Sequence, residues 1–290
     1  MGAPEGDWLV GLVLDALGRE APVDPQALRF LLRRYAATGD DALGEAAGLA
    51  LARAIELDAW GRTDDQPARL TLIVEAASLS DDDRLRSAAT ELAERLSRQW
   101  PHHAAAGVAL PGVEACLRSL PLVDLPGLAK AAIDELERVV GTAYRPGAGM
   151  GPGRADAPPG GLDDHVITVH ALLTAWIVAG RLPYAMLADD LMQFAKRRWW
   201  DGEHGGFADA AHEEDGLAWF VANCEGARAL CRLARLYDDP GYRGTAVVAD
   251  DCDHAADARL VLAHLAPVAP RYGLAGAVYG LALDEAGTLR

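Results

Sequence analysis

Two aspartates, Asp163 and Asp164, open an apolar stretch, and Glu225 lies early in a later one. Two carboxylates about 5 to 10 Å apart across a sugar are what glycosidic hydrolysis requires, and their separation decides whether water or the carboxylate attacks. Asp164 is the expected carboxylate at the mouth of such a site, with Glu225 across from it. Aspartate at a helix start also satisfies free N–H groups and the helix dipole, so one of the pair caps while the other faces ligand. Asp163 is then a binding group beside Asp164. The same stretch holds His165, His170, His204 and His212, and a sugar epimerase needs an acid and a base that titrate near neutrality, as histidine does. His165 is the catalytic candidate. His170, one turn beyond Val166, reads as a core histidine, His204 as a loop residue that could touch ligand, and His212 as a solvated one.

Aromatic rings gather nearby, at Trp199, Trp200, Phe207, Trp219 and Phe220. Rings stack on sugar faces and equally fill gaps beneath a folded loop. Trp200 and Trp219, with Asn223 and Arg228, are the expected ligand-binding set. Asp250, Asp253, His254 and Asp257 recur on one helical face and could hold a divalent ion. An exposed acidic face explains them better, so no metal is expected. The glycines of GAGMGPG follow no strand, which argues against a dinucleotide loop, and no cofactor is expected.

These residues need elements to hold them. Val166, Ile167, Val169, Leu172, Leu173, Trp176 and Ile177 leave little polar face on a helix over 163–179, whereas a helix over 183–199 has one apolar stripe. An all-round apolar helix must be inner and a one-sided helix outer. The alternation recurs: helices over 64–77 and over about 83–100, a weaker pair over 113–120 and 125–140, and a pair over 218–237 and 242–264. Earlier, Asp24-Pro25 starts one helix and Ala42 to Leu57 forms its partner; Pro126 fits a first-turn position in the third pair. Turns at Thr38-Gly39-Asp40, Ser80-Asp81-Asp82 and Ala179-Gly180 punctuate the chain at a spacing suited to helical repeats. The Pro/Gly-rich segment Pro146 to Gly161 reads as holding neither helix nor strand. The short helix over 7–17 looks buried and pairs with a last helix near 272–283, which favours a closed ring over an open solenoid. The expected fold is all-α, an (α/α)6 toroid spanning residues 1–290 as a single domain.

The run WWDGEHGGFADAAHEEDG resembles a loop of the N-acylglucosamine 2-epimerase and cellobiose 2-epimerase toroids. GLDDHVITVHALL and NCEGARALCRLARLYDDPGYR are more similar to the helical half of the YyaL or spermatogenesis-associated-protein-20 group, whose members carry LDDYA and N-S-x-x-A-x-x-L-L-R-L-A-R-L there. His165 stands where that group has Tyr, and the sequence holds no CxxC, so neither a thioredoxin-like domain nor a redox role is expected. The resemblance implies a six-hairpin toroid with a lumen lined by inner helices, an architecture shared with unsaturated glucuronyl hydrolases. The implied function is sugar isomerisation or glycoside hydrolysis in that lumen, with a non-catalytic scaffold or binding toroid as the alternative.

Composition sets further limits. With 27 Lys and Arg against 43 Asp and Glu, the 290-residue chain carries a formal charge of −16, which argues against a nucleic-acid partner. Cys116, Cys224, Cys231 and Cys252 form no CxxC and no zinc spacing, so free thiols in a reducing compartment are expected. The N-terminus has no basic region before its apolar patch and reads as a poor signal peptide. No apolar run is expected to reach membrane-spanning length. A cytoplasmic protein with a sugar-like ligand, no membrane partner and an open oligomeric state is the expectation.

Overall fold

Aspartate starts several helices by giving a side-chain acceptor to N–H groups that the helix itself leaves unpaired. The computed structural model describes residues 7–19, 22–58, 65–100, 106–151, 160–208, 216–245 and 252–289. Its helices are α1 (Asp7–Gly18), α2 (Pro25–Thr38), α3 (Asp41–Leu57), α4 (Gln66–Ala77), α5 (Asp83–Gln99), α6 (Ala106–Ser119) and α7 (Leu128–Ala143). They continue with α8 (Leu162–Ala179), α9 (Leu182–Trp199), α10 (Gly216–Asp238), α11 (Pro240–Arg243), α12 (His254–Leu265) and α13 (Ala277–Gly287), the last preceded by a 3-10 segment, Ala269–Gly276. Asp24 accepts from the N–H groups of Gln26 and Ala27, both at 2.9 Å, while Pro25 takes the first turn of α2. Asp40 and Asp82 cap α3 and α5 likewise. Removing the α2 cap with Asp24→Ala is expected to cost about 1 kcal/mol, seen as a lower urea midpoint; an unchanged midpoint would mean that Pro25 alone sets this helix start.

Inner and outer helices alternate along the chain. α2 packs on α4, α4 on α6, α6 on α8, α8 on α10 and α10 on α13, and α13 returns to α2. Among the described residues these six helices form a closed inner ring. Each outer helix lies against its partner: α3 on α2, α5 on α4, α7 on α6, α9 on α8 and α12 on α10. The sixth outer position belongs to α1, which lies against the 3-10 segment; Leu9 and Val13 are buried while Trp8, Gly11 and Asp15 are exposed. The expectation that this helix is buried is therefore corrected, because it has an outward face. Closure depends on small residues on α13. A Cβ at Gly280 would meet Phe30 of α2 at 2.6 Å and Leu9 of α1 at 2.7 Å.

Because each inner helix is followed by an outer return, all inner helices run the same way and share one N-terminal end. The first turns of α8 and α10 therefore lie at that end. Three details differ from the sequence reading. Tyr144–Arg145 pairs antiparallel with Gly149–Met150, so the Pro/Gly-rich segment does hold a short strand; Gly147, at φ 76°, makes the turn possible. The helix expected over 242–264 is divided into α11 and α12. Pro126 precedes its helix instead of opening it, while Pro111 lies inside α6. α8 also corrects the membrane argument: its 18 residues are long and apolar enough to span a bilayer by length and composition. Most of it is instead buried against α6, α9 and α10, as a central helix of the ring requires, with Ile177 and Val178 exposed at its C-terminal end.

Candidate functional site

Each inner helix carries charge on an otherwise apolar sequence, and a charge placed in the centre of a ring must be paired. Arg29 of α2 donates through Nη2 to Glu75 of α4 at 2.7 Å, and Arg33 bridges Glu75 at 3.0 Å and Glu285 of α13 at 3.2 Å. Arg228 of α10 donates to Glu285 through Nε at 3.0 Å and Nη2 at 2.8 Å, and its Nη1 reaches both oxygens of Glu225 at 2.9 Å. His170 of α8 places Nε2 3.3 Å from Glu225 Oε2, and its Nδ1 is 3.0 Å from Arg232 Nη1. Arg232 continues to Glu114 of α6 at 3.1 Å, where Arg118 also donates at 2.7 Å. All six inner helices thus contribute to one lumenal network.

The network sets protonation. Burial works against ionisation of Glu225, but Arg228 and His170 outweigh it and hold the carboxyl at about 2. Glu75 and Glu285 are likewise buried and likewise brought to about 2 by their arginines, and Glu114 is lowered too. Arg232 moves the other way, down to about 10, because it is buried and lies near Arg118. The lumenal glutamates are ionised bases or ligands for cations and hydroxyls, not acids, at neutral pH.

Two cavities meet at Glu225. One, of about 200 Å³, is lined by Arg29, Glu114, Arg118, His170, Glu225 and Arg228. The other, of about 360 Å³, lies between the first halves of α8 and α10 and is lined by Asp163, Ile167, Leu217, Val221 and Glu225. Ile167 and Glu225 belong to both. A polar compartment beside an apolar one suits a ring with hydroxyl edges and hydrocarbon faces. A further cavity of about 390 Å³ opens between α3 and α5, but its floor is apolar, with Leu32, Leu51 and Ile55.

The two aspartates divide their work differently from the expectation. Asp163 lines the cavity with Glu225, whereas Asp164 accepts from the backbone N–H groups of Gly107 and Gly161. One residue is a 100° turn on a helix, enough to exchange which of the neighbours caps and which faces the opening. Burial and the neighbouring Asp163 raise the Asp164 carboxyl above the ordinary range.

His165 also departs from the expected role. It is buried, accepts from Met150 N at 2.9 Å, lies 2.8 Å from Gly161 O through Nδ1, and stacks on Phe194 at 5.1 Å. The imidazole anchors the small hairpin before α8. His170, read as a core histidine, is the one that meets Glu225.

The expected binding residues after α9 chiefly hold their own loop. Asn223 accepts from Phe207 N at 2.8 Å and donates to Phe207 O at 3.0 Å and Trp219 O at 3.1 Å. Trp219 Nε1 donates to Phe207 O at 2.9 Å, and Trp200 meets Phe207 edge-on at 5.2 Å. His204 is exposed and pairs with Asp201 at 2.8 Å. None of these four lines either lumenal cavity; the amide and indole groups are occupied by backbone that the loop leaves unpaired. Of the expected set, Asp163, Glu225 and Arg228 are brought together. Asp253 caps α12, His254 is buried 3.2 Å from Asp189, and Asp257 pairs with Lys196, so these three do not share an exposed face. His212, Asp250 and residues 152–159 of the Pro/Gly segment lie outside the described residues.

Arg29, Glu75, Glu114, Arg118, Arg232 and Glu285 were not singled out from sequence. A usable signal was present: single charges inside apolar runs such as LTLIVEAA and VEACLRS. Such charges are costly unless a partner waits on another helix.

The fold is that of the six-hairpin, glycosidase-like helical toroids. No family model and no curated protein matches the chain. Among solved structures it is similar to an unsaturated glucuronyl hydrolase from a Bacillus species, at TM-score 0.66 and 14% identity over 90% of this chain and 83% of that one. A GH76A alpha-1,6-mannanase from a Salegentibacter species gives TM-score 0.62 and 13% identity, with coverages of 96% and 98%. A third, the Lin0763 protein from Listeria innocua, gives 0.67 and 12%, with coverages of 97% and 96%.

Proposed function

We propose that this toroid is a carbohydrate-active protein that takes a sugar-like ligand at the N-terminal end of its lumen. The observation that carries the reading is the convergence of Asp163, His170, Glu225 and Arg228 on two adjoining cavities, one polar and one apolar. Glu225, held ionised, is suited to accept a proton or to stabilise developing positive charge, and Asp163 is the second carboxylate across the opening. Asp164, with its raised carboxyl, is the group from which a proton is most readily supplied if the capping contacts release it. This division favours hydrolysis over histidine-based epimerisation. The solved neighbours that hydrolyse glycosides support the substrate class. The LDDH and NCEGARALCRLARL stretches further favour a place near the YyaL group, and the free cysteines favour a cytoplasmic setting.

A panel of reducing sugars, unsaturated uronyl disaccharides and mannosides tests this reading. The wild type is expected to turn over or bind one class, and Glu225→Gln to lose at least about 100-fold in rate, as for removal of an essential acid–base group. A second reading, a binding toroid without chemistry, draws on Arg228, whose Nε, Nη1 and Nη2 are all engaged by Glu225 and Glu285. Ligand binding without turnover, unchanged in Glu225→Gln, would select that reading.

A further inference from the structure

We propose that Arg232 is a positioning residue of the lumen, fixing His170 as the tautomer that carries its proton on Nε2 and aims it at Glu225. This rests on reading the lumen as the functional site and adds the direction in which its groups exchange protons. A guanidinium only donates hydrogen bonds. Arg232 Nη1, 3.0 Å from His170 Nδ1, therefore meets a lone pair there. The ring proton must then sit on Nε2, which faces Glu225 O at 3.1 Å and Glu225 Oε2 at 3.3 Å, both acceptors.

Arg232 is itself held from several sides. Its Nη1 also lies 3.0 Å from His170 O and 3.1 Å from Glu114, so its two N–H groups are shared among three acceptors, and its Nη2 donates to Thr174 Oγ1 at 2.8 Å. Thr174 in turn donates to His170 O at 2.9 Å and touches Glu114 at 3.1 Å. Rotating the guanidinium away from Nδ1 would give up its contacts with Glu114 on α6 and with His170 O and Thr174 on α8. The consequence for Glu225 is directional. With Nε2 already protonated, His170 cannot receive a proton from Glu225; it donates to that carboxylate and leaves it the acceptor toward ligand.

The charged groups that bear on His170 are Glu225, Arg228 and Arg232 from α10, Glu114 and Arg118 from α6, and Glu285 from α13. Replacing Arg232 with methionine removes the donor that holds the lone pair on Nδ1, so the ring is no longer confined to one tautomer. The test is long-range proton–nitrogen correlation on protein labelled with nitrogen-15 histidine, with the His170 signals assigned through His170→Gln. In the wild type at neutral pH, Nδ1 is expected at the shift of a lone-pair nitrogen and Nε2 at that of a protonated one. Arg232→Met is expected to move both nitrogen shifts away from that pattern, and Arg232→Lys, which keeps a donor, to return it.

A wild-type proton on Nδ1 would overturn the proposal, as would a His170 pattern unmoved by Arg232→Met in a variant folded by circular dichroism. If Arg232→Met does not fold, the wild-type and Arg232→Lys spectra decide: agreement on an Nε2 proton supports the assignment and an Nδ1 proton refutes it. These readouts need no ligand. An inert sugar panel with the expected tautomer would remove the carbohydrate reading and leave the role of Arg232 standing.

Discussion

Arg228→Met is expected to destabilise the protein by about 3–5 kcal/mol, the range for removing one partner from a buried ion pair. The side chain is 6% exposed and joins two carboxylates, so its loss strands Glu225 and Glu285 with too few donors. Burial alone would make the guanidinium easier to deprotonate, yet Glu225 and Glu285 raise it well above its ordinary value. A matching acid dependence follows. Glu75, Glu225 and Glu285 sit at about 2 in the folded chain against 4.5 without the fold. Groups lowered in this way contribute stability that is complete above about pH 4.5 and is lost as pH falls toward 2. Urea unfolding followed from pH 7 down to pH 3 is expected to show a falling midpoint below about 4.5, with a shallower slope in Arg228→Met. Equal slopes in the two proteins would show that Arg228 does not hold these carboxylates.

Gly280→Val is the second large effect, expected at about 2 kcal/mol for overpacking a tight contact. Its new side chain would enter space held by Phe30 and Leu9, both fully or almost fully buried. Phe30 lies on α2 and Leu9 on α1, so the clash falls where the ring closes, and neither side can retreat without opening it. The contrast is Gly48→Ala on α3, where an added Cβ meets nothing within 4 Å. That change is expected to stabilise by roughly 0.5–1 kcal/mol through helix propensity alone. Urea midpoints that move the same way in both variants would mean that the Gly280 contact does not limit closure.

Helix pairing was legible because it depends on local chemistry. Asp24, Asp40 and Asp82 announce helix starts, Gly39 and Gly180 announce ends, and apolar coverage separates α8 from α9. The lumen was less legible because its pairings join distant positions: Arg228 finds Glu285, and Glu114 finds Arg232, across separate hairpins. No spacing rule links them. Residue type pointed to His165, Asn223 and Trp219, all of which bear polar groups near the mouth. Their hydrogen bonds to Met150, Gly161 and Phe207 are to backbone, and only folded loops reveal that demand. Asp163 and Asp164 show the same limit at one-residue scale, since rotation about the α8 axis decides their roles.

The contact between α13 and α2 also sets a schedule for a chain emerging from the ribosome. Phe30 must wait for Gly280, which follows 250 positions later by the numbering. At roughly 5–20 residues per second, that interval is on the order of 10–50 s. During it, the first hairpins present an apolar edge with no mate in the same molecule. Such an edge invites neighbouring nascent chains or a chaperone, and the yield of folded protein should therefore depend on how quickly translation reaches α13.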